Sequence, residues 1–332
     1  MEIAIPFAQV EAINPNIKRK DSDNALKVYL KCIVVCFASC RRLDSKLSLV
    51  LYTNKPIETY FHQILNKLKV DIRIVPFTFD PPDIFGDRFR GCFFLFDALK
   101  HIQTSTLFLD PDIVAINDMA QIERYCGGNL GIFKLDSSQN TMINGIDLKT
   151  ANRINREYRK LQKEKEPLEK TSHLGGEILF VPSMRINSLN SNISQIWKWN
   201  ITRAINGKEF LTTEEHILNQ LIETRESTSL NSFISRIWTT RKFTKQQGND
   251  VDLDSLSFWH LPAEKSRGFM TMYANLERCK FQFEASDKAF KNETRKIMNI
   301  DNRLNRTLSF LYSLKTLGQK MFVRKLGPKS PD

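Results

Sequence analysis

The chain has 332 residues, of which 41% are hydrophobic and 26% charged, with only 13 glycines and 12 prolines. That apolar fraction supports a packed core and excludes a wholly disordered chain, and the scarcity of Gly and Pro excludes collagen-like or linker-dominated designs. Lys and Arg outnumber Asp and Glu by 49 to 37, and the net charge of +12 points to an anionic partner: nucleic acid, a phosphorylated substrate or a membrane surface.

In chain order, residues 3–7 read as a first strand, preceded by no long apolar run, so no secretory leader is expected. Residues 25–41 carry apolar positions at helical spacing, broken by Lys27 and Lys31, too short and too charged to cross a bilayer. Cys32, Cys36 and Cys40 fall on one face of that helix. With Cys92, Cys126 and Cys279 they form no CxxC pair, and they read as reduced core thiols. Residues 47–52 form a buried strand, 57–68 an amphipathic helix, 70–76 an alternating strand, 91–102 a helix and 106–109 another strand. This alternation predicts an α/β fold with a mostly parallel sheet.

Further along, 129–134 and 177–181 read as strands. Between them, 149–170 holds eight basic and four acidic residues and is expected to be an exposed helix or excursion. Helices are predicted over 194–205 and 214–223, and an aromatic-rich strand over 257–261. From 291 onward, ten basic and three acidic residues accompany Leu304, Leu308, Leu311, Leu314, Leu317 and Met321 at helical spacing. The expected organisation is a catalytic domain over 1–285 and a basic amphipathic helical tail over 286–332, either docked on anionic lipid or packed on the domain.

The sharpest chemical signal is the apolar strand that runs into Asp110-Pro111-Asp112. Ligands gather at the carboxyl ends of strands in open α/β sheets, and two carboxylates one residue apart on a stiff turn can share a hard divalent cation. Asp112 is expected to face solvent. Three segments join this signal. Gly175-Gly176-Glu177 opens a strand, where paired glycines permit close approach of a bulky ligand and Glu177 can meet sugar hydroxyls. Glu214 and Glu215 open a helix, with Thr212 and Glu215 in a capping-box pattern. His260 ends the aromatic strand, with Lys265 and Arg267 close behind: an imidazole to complete a metal site and cations to neutralise a diphosphate.

In this order the four segments resemble GT-A-fold glycosyltransferases, in particular the retaining bacterial lipopolysaccharide galactosyl/glucosyltransferase and glycogenin type, over about residues 1–270. The resemblance implies that Asp110, Asp112 and His260 ligate Mn²⁺ or Mg²⁺ on the diphosphate of a UDP- or GDP-sugar donor, with Lys265 contacting that diphosphate. It also implies that Arg88 or Arg90 and the Gly175–Gly176 turn bind donor, and that Glu214, Glu215 and Glu177 supply the catalytic carboxylates. Departures are Leu174 and Glu215, where the family has Asn and Gln, and a final segment without its usual Gly and Pro-Trp; retention and inversion both stay open. The implied activity is transfer of a sugar to a glycan or lipid-linked acceptor in cell-surface polysaccharide or lipopolysaccharide assembly. The expected location is the cytoplasm, with the tail as the peripheral membrane contact and no nucleic-acid partner. Two rivals are a sugar-phosphate nucleotidyltransferase, which lacks its Gly-rich basic signature after the first strand, and a non-enzymatic basic protein binding nucleic acid or membrane.

Overall fold

Along β1 (Glu2–Phe7) the side chains of Ile3, Ala4 and Ile5 are all fully buried, as a continuous apolar run requires when a strand is covered on both faces. The computed structural model describes residues 1–10, 22–87, 89–136, 140, 142–162, 172–222, 227–239, 244–247, 251–280, 283 and 286–300. After β1 come α1 (Ser22–Leu43), β2 (Ser48–Thr53), α2 (Thr59–Lys67), β3 (Val70–Ile74), α3 (Phe94–His101), β4 (Thr106–Leu109) and β5 (Ile113–Ala115). The middle of the chain adds α4 (Gln121–Cys126), β6 (Leu130–Asp136), the hairpin β7 (Met142–Ile143) and β8 (Ile146–Asp147), α5 (Leu148–Leu161), β9 (Ser172–Val181), α6 (Ile186–Ile205) and α7 (Glu214–Leu221). The last elements are β10 (Ser227–Ser229), β11 (Ile234–Thr239), β12 (Thr244–Gln247), β13 (Phe258–His260), α8 (Gly268–Arg278) and α9 (Asp287–Ile297).

The central sheet has seven strands in the order β10-β6-β9-β4-β1-β2-β3. All its pairings are parallel except those of β9, which runs antiparallel to both β4 and β6. Alternate residues of β1 point to opposite faces: Ile3 and Ile5 join an apolar layer with α1, α2 and α8, while Ala4 joins one with α3, α5, α6 and α7. This is the expected α/β arrangement, a mostly parallel sheet flanked by helices. A second sheet, β12-β11-β13-β5, stands beside it. Ser39 on α1 ties the two together, its hydroxyl accepting from the Ala115 amide at 2.9 Å. Cys32, Cys36 and Cys40 lie buried in the α1 layer, and all six cysteines are free thiols.

One segment departs from expectation. The basic segment beginning at 149 is not an exposed helix: Leu148, Ala151, Ile154 and Tyr158 of α5 are buried, while Lys149, Arg153 and Lys160 face solvent. Its few apolar residues suffice because they recur every three or four positions on one face; residues 163–170 lie outside the described residues. At the far end, residues 286–300 pack on the domain. Phe290, Met298 and Ile300 are buried, and Arg42 sits 4.2 Å from the Phe290 ring centre while pairing with Asp287 at 2.5 Å. The leucine pattern from Leu304 to Met321 lies outside the described residues. Among the described residues no helix is long and apolar enough to cross a membrane.

Candidate active site

The chain leaves the central sheet at the end of β4 and enters the second sheet at β5, and Asp110-Pro111-Asp112 is the turn between them. The Asp110 amide donates to the Glu177 carbonyl and the Leu261 amide to the Asp112 carbonyl, both at 3.0 Å, so the turn is pinned from β9 and from the end of β13. Antiparallel pairing sets His260 opposite Ile113, which brings the imidazole onto the turn. Its Nε2 lies 3.1 Å from Asp112 Oδ2 and 3.7 Å from Asp110 Oδ2, and one ligand atom from each of the three residues falls within 4.8 Å of the others. The two aspartates differ sharply. Asp110 keeps 45% of its side chain exposed, whereas Asp112, expected to face solvent, is 1% exposed. Asp112 directly precedes the fully buried strand β5, and its carboxylate turns inward to Lys265 and His260.

Asp112 is instead one end of a buried ionic chain. Lys265 donates to its Oδ2; His260 Nδ1 approaches Glu177 Oε1 at 3.3 Å; Arg236 from β11 grips Glu177 with both Nε (2.8 Å) and Nη2 (2.6 Å). Burial alone would raise the Asp112 carboxyl, but Lys265 and His260 outweigh it and hold it well below the usual range. Against the same cost of burial, Asp112 and Glu177 raise His260 to about 9, and Arg236 and His260 bring Glu177 down to about 2.

This geometry changes several expected roles. Glu177 is fully buried, with both oxygens committed to Arg236 and one also to His260, so it orients the imidazole and is not placed to meet a sugar or an acceptor. The paired glycines make room for the protein's own carboxylates, not for a ligand. A Cβ at Gly175 would stand 2.2 Å from Glu177 Oε2, and one at Gly176 would stand 2.8 Å from Glu215 Oε1. Arg90 is held at the surface by Asp80 (2.6 Å) and Asp83 (3.2 Å), away from the pocket, and Arg88 lies outside the described residues. Lys265 does reach the site, but through Asp112.

Glu214 and Glu215 open α7, whose N-cap is Thr213, with its hydroxyl accepting from the His216 amide. The expected capping box from Thr212 to Glu215 is not made. Thr212 donates to the Asn144 carbonyl at 3.0 Å, and Glu215 turns outward to accept from the Gly176 amide at 2.7 Å and from Asn144 Nδ2 at 2.9 Å. Burial, together with the neighbouring Glu215 charge, raises Glu214 to about 7. Burial likewise raises Glu215 to about 7, although Arg236 Nη2 at 4.0 Å opposes the shift. At neutral pH such a pair holds about one proton between its members.

Asp110, Asp112, Asn144, Thr213, Glu214, Glu215, Arg236, His260 and Lys265 open onto one cavity of about 370 Å³. Phe7 of β1, Val10 shortly after it, and Leu26 and Tyr29 of α1 give it an apolar wall beside Lys265, whose ammonium lies 5.8 Å from the Tyr29 ring centre. Asp110, Asp112, His260, Glu214, Glu215 and Arg236 give it a charged one. Three lining residues escaped the sequence reading. Asn144 sits in an Asn-Gly turn with φ of 50° and, at Gly145, 94°, a hairpin signal that was legible. Arg236 and Trp238 alternate with buried Ile237 and Thr239 on β11, a period-two pattern that was also available.

A divalent cation fits the Asp110–Asp112–His260 set. Two carboxylates and an imidazole are hard and borderline donors, and the second ring nitrogen of His260 is held by Glu177, the arrangement that orients a metal-binding imidazole. Binding requires Asp112 to serve the cation as well as Lys265, and His260 to give up its proton.

No family model and no curated protein sequence matches the chain. Among solved structures it is similar to WbbM, a bifunctional glycosyltransferase, with TM-score 0.49 and 12% identity over 85% of this chain and 52% of that one. It is also similar to the glycosyltransferase GlyE of Streptococcus pneumoniae (0.41, 12%, 86% of this chain and 65% of that one) and to mouse xyloside xylosyltransferase 1 (0.44, 12%, 78% and 96%). The chain thus spans about half of the WbbM chain and under two thirds of the GlyE chain.

Proposed function

We propose that the chain is a metal-dependent glycosyltransferase of the GT-A type, moving a sugar from a nucleoside-diphosphate donor to a hydroxyl of a glycan or lipid-linked acceptor. The observation that carries this reading is the convergence of Asp110, Asp112 and His260 on one cavity that the Glu214–Glu215 pair also lines. A site that cleaves a sugar from a diphosphate needs a charge sink at the leaving group and a carboxylate near the reacting carbon.

Asp110, Asp112 and His260 would hold the Mn²⁺ or Mg²⁺ ion, which when bound neutralises charge on the leaving diphosphate. Lys265 adds a fixed positive charge beside Asp112 at no cost in reorganisation. The apolar wall of Phe7, Leu26 and Tyr29 suits the nucleoside and keeps water from the diphosphate. As the acceptor oxygen bonds to the anomeric carbon, the bond from that carbon to the β-phosphate oxygen breaks. The ionised member of the Glu214–Glu215 pair takes the acceptor proton if the configuration inverts; if it is retained, that member steadies the positive charge on the ring while the acceptor proton passes to the departing β-phosphate oxygen. Glu177 keeps His260 in place, and Arg236 holds Glu177 while lying 4.0 Å from Glu215.

The test is release of nucleoside diphosphate from UDP-glucose, UDP-galactose, UDP-N-acetylglucosamine and GDP-mannose, with Mn²⁺ and with excess EDTA. At least one donor is expected to turn over, and EDTA is expected to stop it. Inert donors across the panel, together with no binding of UDP or GDP, would remove the reading.

A further inference from the structure

Trp238 is an aromatic wall of the cavity that the mechanism above does not use. It stands two positions beyond Arg236 on the same face of β11, about 7 Å further along the strand. Arg236 itself reaches to 4.0 Å from Glu215. The indole thus lines the cavity beside Arg236, together with the Glu214–Glu215 pair. It is also pinned: its Nε1 donates to Gln247 Oε1 at 2.9 Å, and its backbone pairs with Lys245 on β12. With the ring nitrogen satisfied at the edge, what remains for the cavity is an apolar π face. Neighbouring Ile237 and Thr239 are buried in the interior, so a tryptophan left facing the cavity is a large apolar surface awaiting a cover. Pro262 lines the same cavity.

We propose that Trp238 is the platform on which a sugar ring of the acceptor stacks, so that the acceptor is a glycan and not a bare lipid phosphate or a peptide hydroxyl. This rests on the function proposed above. A pyranose presents a face of C–H bonds to an aromatic ring while its hydroxyls project sideways. On Trp238, those hydroxyls point along β11 toward Arg236 and the Glu214–Glu215 pair, where the acceptor oxygen must lie. The nucleoside already has its own apolar wall at Phe7, Leu26 and Tyr29, next to Lys265, which leaves the β11 side to the other substrate.

The experiment compares wild type with Trp238→Ala, Trp238→Leu and Trp238→Phe on an array of defined oligosaccharides, with Mn²⁺ and UDP present. UDP affinity and thermal melting are measured alongside. Wild type is expected to retain at least one class of oligosaccharide. Trp238→Ala and Trp238→Leu should lose that signal about tenfold or more, and Trp238→Phe should keep it within about threefold, since stacking needs a ring and not mere bulk. UDP affinity should change by less than about twofold in every folded variant. A leucine variant that binds glycans like wild type, a wild type that binds no glycan, or a UDP affinity that falls with the indole would each overturn the proposal. If UDP fails to bind the wild type at all, the failure lies in the proposed function and not in the role of Trp238.

Discussion

Asp110 and Asp112 are two positions apart in sequence and far apart in consequence. Asp110 faces the cavity with 45% of its side chain exposed, so Asp110→Asn is expected to change stability by no more than about 0.5 kcal/mol while removing metal binding and turnover. Asp112→Asn strips the partner from buried Lys265 and His260, and a buried ion pair broken on one side costs about 3–5 kcal/mol. That variant should therefore lose both activity and several degrees of melting temperature. Equal melting of the two variants would show that Asp112 is not the structural anchor described here. Glu214 offers a test by pH. Its carboxyl is raised to about 7 from an ordinary value near 4.5, so the unfolded chain ionises first, and stability falls as pH rises through that window. Glu214→Gln should flatten this fall and raise the melting temperature at pH 8 by roughly 2 °C. In the wild type, kcat/KM should climb toward neutral pH as the first member of the pair ionises. The acids themselves were legible in the sequence because strand, turn and carboxylate follow one another. Their division of labour was not, because it depends on Lys265 and Arg236, which lie 153 and 59 positions away from the acids they hold.

At the scale of elements, the site is assembled by contacts between segments. The open strand of β9 carries Gly176, whose missing side chain leaves space for Glu215 from α7. Gly176→Ala would place a Cβ 2.8 Å from Glu215 Oε1 and 3.0 Å from Glu214 Oε1, displacing flexible side-chain ends and not backbone. Turnover is therefore expected to fall about tenfold to a hundredfold, with a loss of stability of no more than about 1 kcal/mol; unchanged kinetics would mean that the carboxylate pair is not held by this strand. The first four strands and their helices could be read from periodicity because each is a local pattern. The antiparallel run of β9 between β4 and β6 could not, since nothing local distinguishes a buried antiparallel strand from a parallel one. The Asn144–Gly145 hairpin was written plainly in its dipeptide, yet its use, a hydrogen bond to Glu215, depends on a partner 71 positions away.

Across the whole molecule, the two sheets meet at the Asp110–Asp112 turn, and the apolar layers on both faces of the large sheet hold that joint still. The segment 286–300 contributes to one of those layers through Phe290, Met298 and Ile300, so a chain ending at residue 285 should melt well below wild type, each such side chain contributing about 1.5–3 kcal/mol when buried. A chain ending at residue 300 should keep the wild-type melting temperature and donor turnover. Similar melting of both truncations would show that α9 is dispensable to the domain. The most direct test of the account is an electron paramagnetic resonance titration of Mn²⁺, with and without UDP, on wild type and on Asp110→Asn and His260→Ala. One ion per chain should bind, more tightly when UDP is present, and both substitutions should abolish binding. Mn²⁺ that stays free in the wild type, or that binds the two variants as well as the wild type, would contradict it.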